Sequence, residues 1–315
     1  MGNDISTLPI GIRNISYCLG DSIPIDELPE MVADDKLLKR FKDSGFKNYA
    51  RSSLTMAEQA GKAALATIER SGLTAKQIDA VVIGTSELRD WNDFPEDLSK
   101  EILRIIGFNI IPVVGTTLAG CANLANSIKV ARNMIIAENL RNVLVIETNQ
   151  VRGSMQRLEG ILPSEIPATL FGDGAVSCIV TNEATEFYIL GMEQIVSQFH
   201  NDKIPSQAIV AKDVASYRHV IERALKKAML EPKDIHCYLA GNNNAQIFEG
   251  MKNILGFGSA ESFTENLQSY GHIWSADTLI NLQDYCNKVS PKMGTYFLML
   301  SQASNYYSAI VCQKR

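Results

Sequence analysis

What most constrains this chain is an echo inside it. Gly72-Leu73-Thr74-Ala75-Lys76-Gln77-Ile78-Asp79 leads into a short apolar run that stops at Gly84. Met229-Leu230-Glu231-Pro232-Lys233-Asp234-Ile235-His236 leads into another that stops at Gly241. Ile78 and Ile235, like Gly84 and Gly241, stand 157 residues apart. A second echo follows: Gly120-Cys121 opens one long helix and Gly271-His272 opens its counterpart 151 residues later. Each copy then closes on a strand, at 143–147 and 296–300. Self-similarity on this scale means one supersecondary unit used twice. The 315 residues suffice for two such units packed around a shared helical layer. The expected division is 1–182, carrying the cysteine, and 183–315, carrying the histidine and asparagine elements.

The local patterns fit that plan. Residues 53–71, rich in Ala, Leu, Glu and Lys and closed by Gly72, read as a helix, as do 97–106, 122–140, 218–229 and 276–287. The β-branched and apolar runs 80–84, 142–147, 176–180, 187–190, 237–240, 294–300 and 308–311 read as strands. Helices alternating with strands predict an α/β layered fold. With 46% apolar and 21% charged residues the chain has the balance of a globular protein. Its net charge of −5 argues against nucleic-acid and anionic-membrane partners. No apolar run approaches the ~18–20 residues of a membrane span, and residues 1–10 lack a signal-peptide pattern. The six cysteines are scattered, with no C-x-x-C pair. Reduced thiols and a cytoplasmic setting are therefore expected.

If the copies are related by pseudo-symmetry, equivalent helix starts face each other and Cys121 meets His272 near the centre. A helix N-terminus carries partial positive charge and unpaired N–H donors, which favour a thiolate. A neighbouring imidazole either takes the thiol proton or stabilises the anion. Taken alone, Cys121 reads as a small core residue; the repeat is what raises it to a candidate nucleophile. Asp173, flanked by glycines, reads as a turn residue that caps its own backbone. His200, His219 and His236 lack metal-ligand spacing, and Gly115 and Gly120 form no dinucleotide-binding pattern. Neither a metal nor a permanently bound cofactor is expected.

Three segments carry a family resemblance: Gly120-Cys121-Ala122-Asn123-Leu124, Leu170-Phe171-Gly172-Asp173-Gly174-Ala175 and Tyr270-Gly271-His272-Ile273-Trp274-Ser275-Ala276. Together they resemble the ketoacyl synthase III branch of the thiolase superfamily. The resemblance implies a thiolase-like five-layer αβαβα fold built from two pseudo-symmetric halves, a homodimer, and an acyl thioester on Cys121. An acyl-CoA or acyl-carrier-protein thioester would be the donor, in specialised fatty-acid or polyketide metabolism. In that family a histidine and an asparagine hold a second thioester carbonyl while a malonyl group loses carbon dioxide and attacks the acyl-enzyme. Here the histidine position is Gly241 and the asparagine position is His272.

Two outcomes follow. If Asn242, with Asn244 assisting, reaches inward, both donors survive and decarboxylative condensation is retained. If not, a Cys–His dyad remains, suited to acyl transfer to an alcohol, amine or thiol. The missing histidine also leaves open a non-catalytic subunit that partners an active homologue. Arg152, Arg157, Lys203 and Arg218 are candidates for the pantetheine entrance. Trp274 is a candidate wall of the acyl pocket.

Overall fold

The computed structural model describes residues 9–86, 95–151, 156–159, 169–197, 206–303 and 305–315. Ten strands make the main sheet. In chain order they are β1 (Gly11–Leu19), β2 (Ala80–Gly84), β3 (Val113–Thr116), β4 (Asn142–Asn149), β5 (Gly174–Thr181), β6 (Phe187–Val196), β7 (Cys237–Ala240), β8 (Glu261–Ser262), β9 (Tyr296–Ala303) and β10 (Tyr306–Lys314). Their spatial order is β8-β7-β9-β10-β6-β1-β5-β4-β2-β3. Read outward from the middle, both halves follow one plan. β1-β5-β4-β2-β3 and β6-β10-β9-β7-β8 each begin with three antiparallel neighbours and end in three parallel ones. Within the sheet, among the described residues, the halves pair at Gly11↔Tyr188 and Ile12↔Phe187.

Side-chain alternation explains the layers. Successive residues of a strand point to opposite faces, so every central strand feeds two cores. Val81, Ile83, Leu144 and Ile146 face outward, onto α1 (Met56–Ser71) and α2 (Pro95–Ile106). Val82, Val143 and Val145 face inward, onto α3 (Asn123–Glu138) and α6 (Asp277–Val289). In the second half Leu298 and Leu300 pack on α4 (Ser206–Ala228) and α5 (Ala245–Ile254), whereas Phe297 and Met299 join the central core. The order is α1/α2, sheet, α3/α6, sheet, α4/α5: a thiolase-like αβαβα sandwich, as the resemblance led one to expect.

Local chemistry sets the helix ends. Thr55 and Glu58 form a reciprocal capping box at the start of α1, and Gly72 closes it in the left-handed conformation at φ 68°. The buried Ala57, Ala60 and Ala64 let α1 lie close on the sheet, and Gly61 lets it lie close to Ile105 of α2. A smaller cluster at the edge gathers Ile25, Met31, Phe41, Phe46 and Tyr49 around the Asp35–Asp43 helix and the Glu265–Tyr270 helix.

Candidate active site

Cys121 sits in a single 3-10 turn, Gly120–Ala122, that feeds directly into α3. The turn is forced close to the other half. Gly120 has φ 51°, and a Cβ there would lie 2.6 Å from the Cβ of Ala303 on β9. Glycine is required on both counts. Gln302, beside Ala303, accepts from the Tyr217 hydroxyl at 3.1 Å, which brings α4 to this end of the sheet.

His272 is fixed from the backbone outward. Its N–H donates to the Leu170 carbonyl at 2.8 Å, and its own carbonyl accepts from Gly172 at 2.9 Å. Gly271 (φ 72°) allows the approach, since a Cβ there would fall 2.6 Å from the Leu170 oxygen. The Phe-Gly-Asp-Gly turn is thus the cradle of the histidine. Asp173, 1% exposed, holds that turn: its carboxylate accepts from Ser52 N (3.0 Å), Val151 N (2.9 Å) and the Arg157 guanidinium (3.2 Å).

The two ends converge. Nε2 of His272 lies 3.0 Å from Sγ of Cys121, while Nδ1 makes a short hydrogen bond to Asp277. Asp277 is the first residue of α6, where the helix end favours an anion. It also accepts from Asn242 N (2.6 Å), Ile273 N (2.7 Å) and Asn242 Nδ2 (3.2 Å). Burial works against a charged imidazole, but Cys121 and Asp277 on its two sides raise the His272 pKa well above the ordinary histidine value. The result is a Cys–His–Asp relay in which the ring faces the sulfur on one side and the carboxylate on the other. Sequence reasoning missed Asp277; its only signal was an acid five residues past His272, at a helix start.

The other expected residues divide. Asn242 does not reach inward. Its amide donates to Asp277 and to the Gly271 carbonyl (3.2 Å), and its oxygen accepts from Asn281 (2.9 Å). Asn244 caps α5, accepting from Gln246 and Ile247, and lines a groove against the Asp35–Asp43 helix. Arg157, expected at the entrance, is spent on Asp173 and on the carbonyls of Ala50 and Phe171, because a buried carboxylate needs a countercharge. Arg218 donates to the Ile254 carbonyl at 3.5 Å, on the surface. Arg152, Lys203 and His200 lie outside the described residues. Trp274 stacks on Phe171 (centroids 4.0 Å apart), with the His272 ring 6.4 Å away. It holds φ 52°, a costly conformation for a bulky residue.

A repeated half, with a cysteine at one junction and a histidine at its counterpart, fits the two-copy plan that the resemblance to the thiolase superfamily implies. Residues 117–197 match the family 3-oxoacyl-[acyl-carrier-protein] synthase III, and 225–312 match its C-terminal part. The chain belongs to the ketoacyl-synthase-III-like branch of that superfamily, whose general role is acyl transfer of the condensing type.

A beta-ketoacyl-[acyl-carrier-protein] synthase III of Psychromonas ingrahamii is 30% identical over 165 residues, 51% of this chain and 47% of that protein. One from Microcystis aeruginosa is 22% identical over 300 residues, covering 85% of this chain and 86% of the relative. Among solved structures, the acyltransferase ChlB3 superposes with a TM-score of 0.83 at 15% identity, over 97% of this chain and 98% of that one. No helix among the described residues is long and apolar enough to cross a membrane.

Proposed function

We propose that this chain is an acyltransferase that carries its acyl group as a thioester on Cys121 and passes it to an alcohol, amine or thiol. The observation that carries this reading is the His272 ring, bound on one side to Sγ and on the other to Asp277, while the Asn242 amide is spent on Asp277 and Gly271 and Asn244 stands as the N-cap of α5. Condensation on a malonyl donor needs two uncommitted donors aimed at one thioester oxygen. Acyl transfer to a heteroatom needs a nucleophile and a base.

The steps follow from the geometry. Sγ attacks the donor carbonyl, the donor thiol leaves with the proton from Nε2, and the acyl group stays on Cys121. The now neutral Nε2 removes the proton of an acceptor O–H, N–H or S–H as that atom attacks the acyl carbonyl. Collapse of the tetrahedral adduct returns the electron pair to Sγ, beside the re-formed imidazolium. Asp277 keeps the ring's Nδ1–H in place throughout.

The donor is an acyl thioester of coenzyme A or of an acyl carrier protein. In support, a groove of about 380 Å³ is lined by Lys36, Lys39, Arg40, Asp43, Ser44 and Asn244; Asp43 pairs with Lys39 at 2.8 Å, and the net positive charge left suits a phosphate or an acidic carrier. The reading includes a homodimer joined along the open β3 edge, where Ile110 is 98% exposed and Val113 stands beside it. It also includes a reducing compartment, since all six cysteines are free. The assembled relay speaks against a purely non-catalytic partner subunit.

Intact-protein mass spectrometry with a panel of acyl thioesters tests the proposal. The wild type is expected to gain one acyl mass, Cys121→Ala none, and His272→Ala only slowly. Absence of a Cys121-dependent adduct overturns the reading, and carbon dioxide release from a malonyl donor would convert it to condensation.

A further inference from the structure

Glu147 is 0% exposed and has no cationic partner among the described residues. It stands near the end of β4, on the ladder between Gly84 of β2 and Val176 of β5. Everything within its reach donates to it. Ser127 Oγ makes a short hydrogen bond, Ser275 Oγ donates at 2.7 Å, and Asn123 Nδ2 lies 3.4 Å from both oxygens.

These donors come from two places. Asn123 and Ser127 stand one turn apart on one face at the start of α3, just after Cys121. Ser275 lies in the 3-10 turn directly after His272. The room for the carboxyl is purpose-built, because a Cβ on Gly84 would sit 2.0 Å from its Oε1. Further bonds extend the tie: Ser86 and Asn149 hold the Ser275 hydroxyl at 3.1 and 3.2 Å, and Thr116 meets Ser127 at 2.6 Å.

We propose that Glu147 is a positioning residue for the Cys121–His272 pair: its carboxylate clamps the nucleophile's helix to the histidine's turn across the junction of the two halves. As an anion it accepts from all three donors at once. Protonated, one oxygen must donate to a hydroxyl, so that contact reverses and a charge-assisted bond becomes a weaker neutral one. The substitution Glu147→Gln imitates that protonated form, with one donor and one acceptor end.

Burial pushes the Glu147 carboxyl up to about 7, against the opposing pull of Ser127, Ser275 and Asn123. The clamp therefore closes as pH rises through neutrality. The residues facing it from α3, β2 and the turn after His272 do not ionise. Cys178 on β5 does, but burial, Glu147 and Cys312 hold its thiol far above this range. His272 faces Cys121 and Asp277, which raise its pKa well above the ordinary value against the opposing effect of burial.

The test is the rate of Cys121 alkylation by iodoacetamide, followed by peptide mass spectrometry from pH 5.5 to 8.5, on the full chain. In the wild type the rate is expected to rise about fivefold through a step near pH 7, the order of one hydrogen bond weakened from charge-assisted to neutral. Glu147→Gln is expected to lack the step and to stay at the wild type's low-pH rate, although its melting temperature at pH 8 is not lowered. Ser275→Ala, which cuts only the tie to the histidine's turn, is expected to slow alkylation at pH 8. A Glu147→Gln profile that follows the wild type would show the carboxyl to be structural only and overturn the proposal. The clamp concerns the residues of the acyltransferase reading, but alkylation needs no acyl donor; failure to load an acyl group would sink that reading and leave this one standing.

Discussion

At the scale of single residues the site is a relay held by backbone. Asp277 fixes which ring nitrogen of His272 carries a proton, so Asp277→Asn is expected to reverse the tautomer: an amide donating to Nδ1 forces the hydrogen onto Nε2. Acyl loading of Cys121, measured by stopped-flow or quenched mass spectrometry, should fall about 10²-fold. The melting temperature should drop as well, because the same new NH2 faces the Asn242 N–H that the carboxylate had accepted from. The buried Glu147 carries the opposite sign. Its folded-state pKa of about 7 lies above the ordinary carboxyl value of 4.5, so the native state binds the extra proton. Stability is then lost as pH rises from about 4.5 to 7, by up to about 3 kcal/mol at 1.36 kcal/mol per unit. Glu147→Gln at pH 8 should recover part of that loss, read as a raised melting temperature alongside reduced Cys121 reactivity. Cys121 and His272 could be read from the sequence because the repeat aligned them. Asp277 could not, because its role depends on a turn that folds five residues back onto a ring. Asn242 was placed in the right loop but not in the right direction, which only the orphan oxygens of Asp277 determine.

Elements were easiest to read where burial is uniform or capping residues mark the ends. The runs at 80–84 and 237–240 are strands with those bounds, and the Ala-rich helix after Thr55 ends at its glycine. β1 escaped detection because its alternation breaks in the middle. The register slips between Arg13 and Ser16, and Asn14 turns to φ 55° to meet the Glu186 carboxylate. α5 escaped too, since its ten residues bury only Phe248 and Lys252. The turn before α3 is the most demanding element. Gly120→Ala adds a methyl where Ala303 already sits, at a left-handed φ. A loss of about 1–3 kcal/mol is expected from strain and crowding. Thermal unfolding should report it, and Cys121 alkylation should slow because the displaced turn carries the sulfur away from Nε2.

For the whole molecule, the division at about 182 predicts two lobes but not two independent units. α3 and α6 share one core with strands of both halves: Leu124 and Ile128 belong to the same cluster as Leu279, Leu282, Leu239 and Met299. A fragment of residues 1–182 would leave that apolar layer bare. Expressed alone, it is expected to aggregate or to melt without cooperativity by circular dichroism, whereas mixing with 183–315 should restore a sharp transition. The matched strand order has a chemical corollary. Because the two helix starts are counterparts, a chain with identical copies would set sulfur against sulfur, or ring against ring, and would lack either the base or the nucleophile. Reactivity here exists only as a difference between the copies, at the paired positions where one supplies the nucleophile and the other its base.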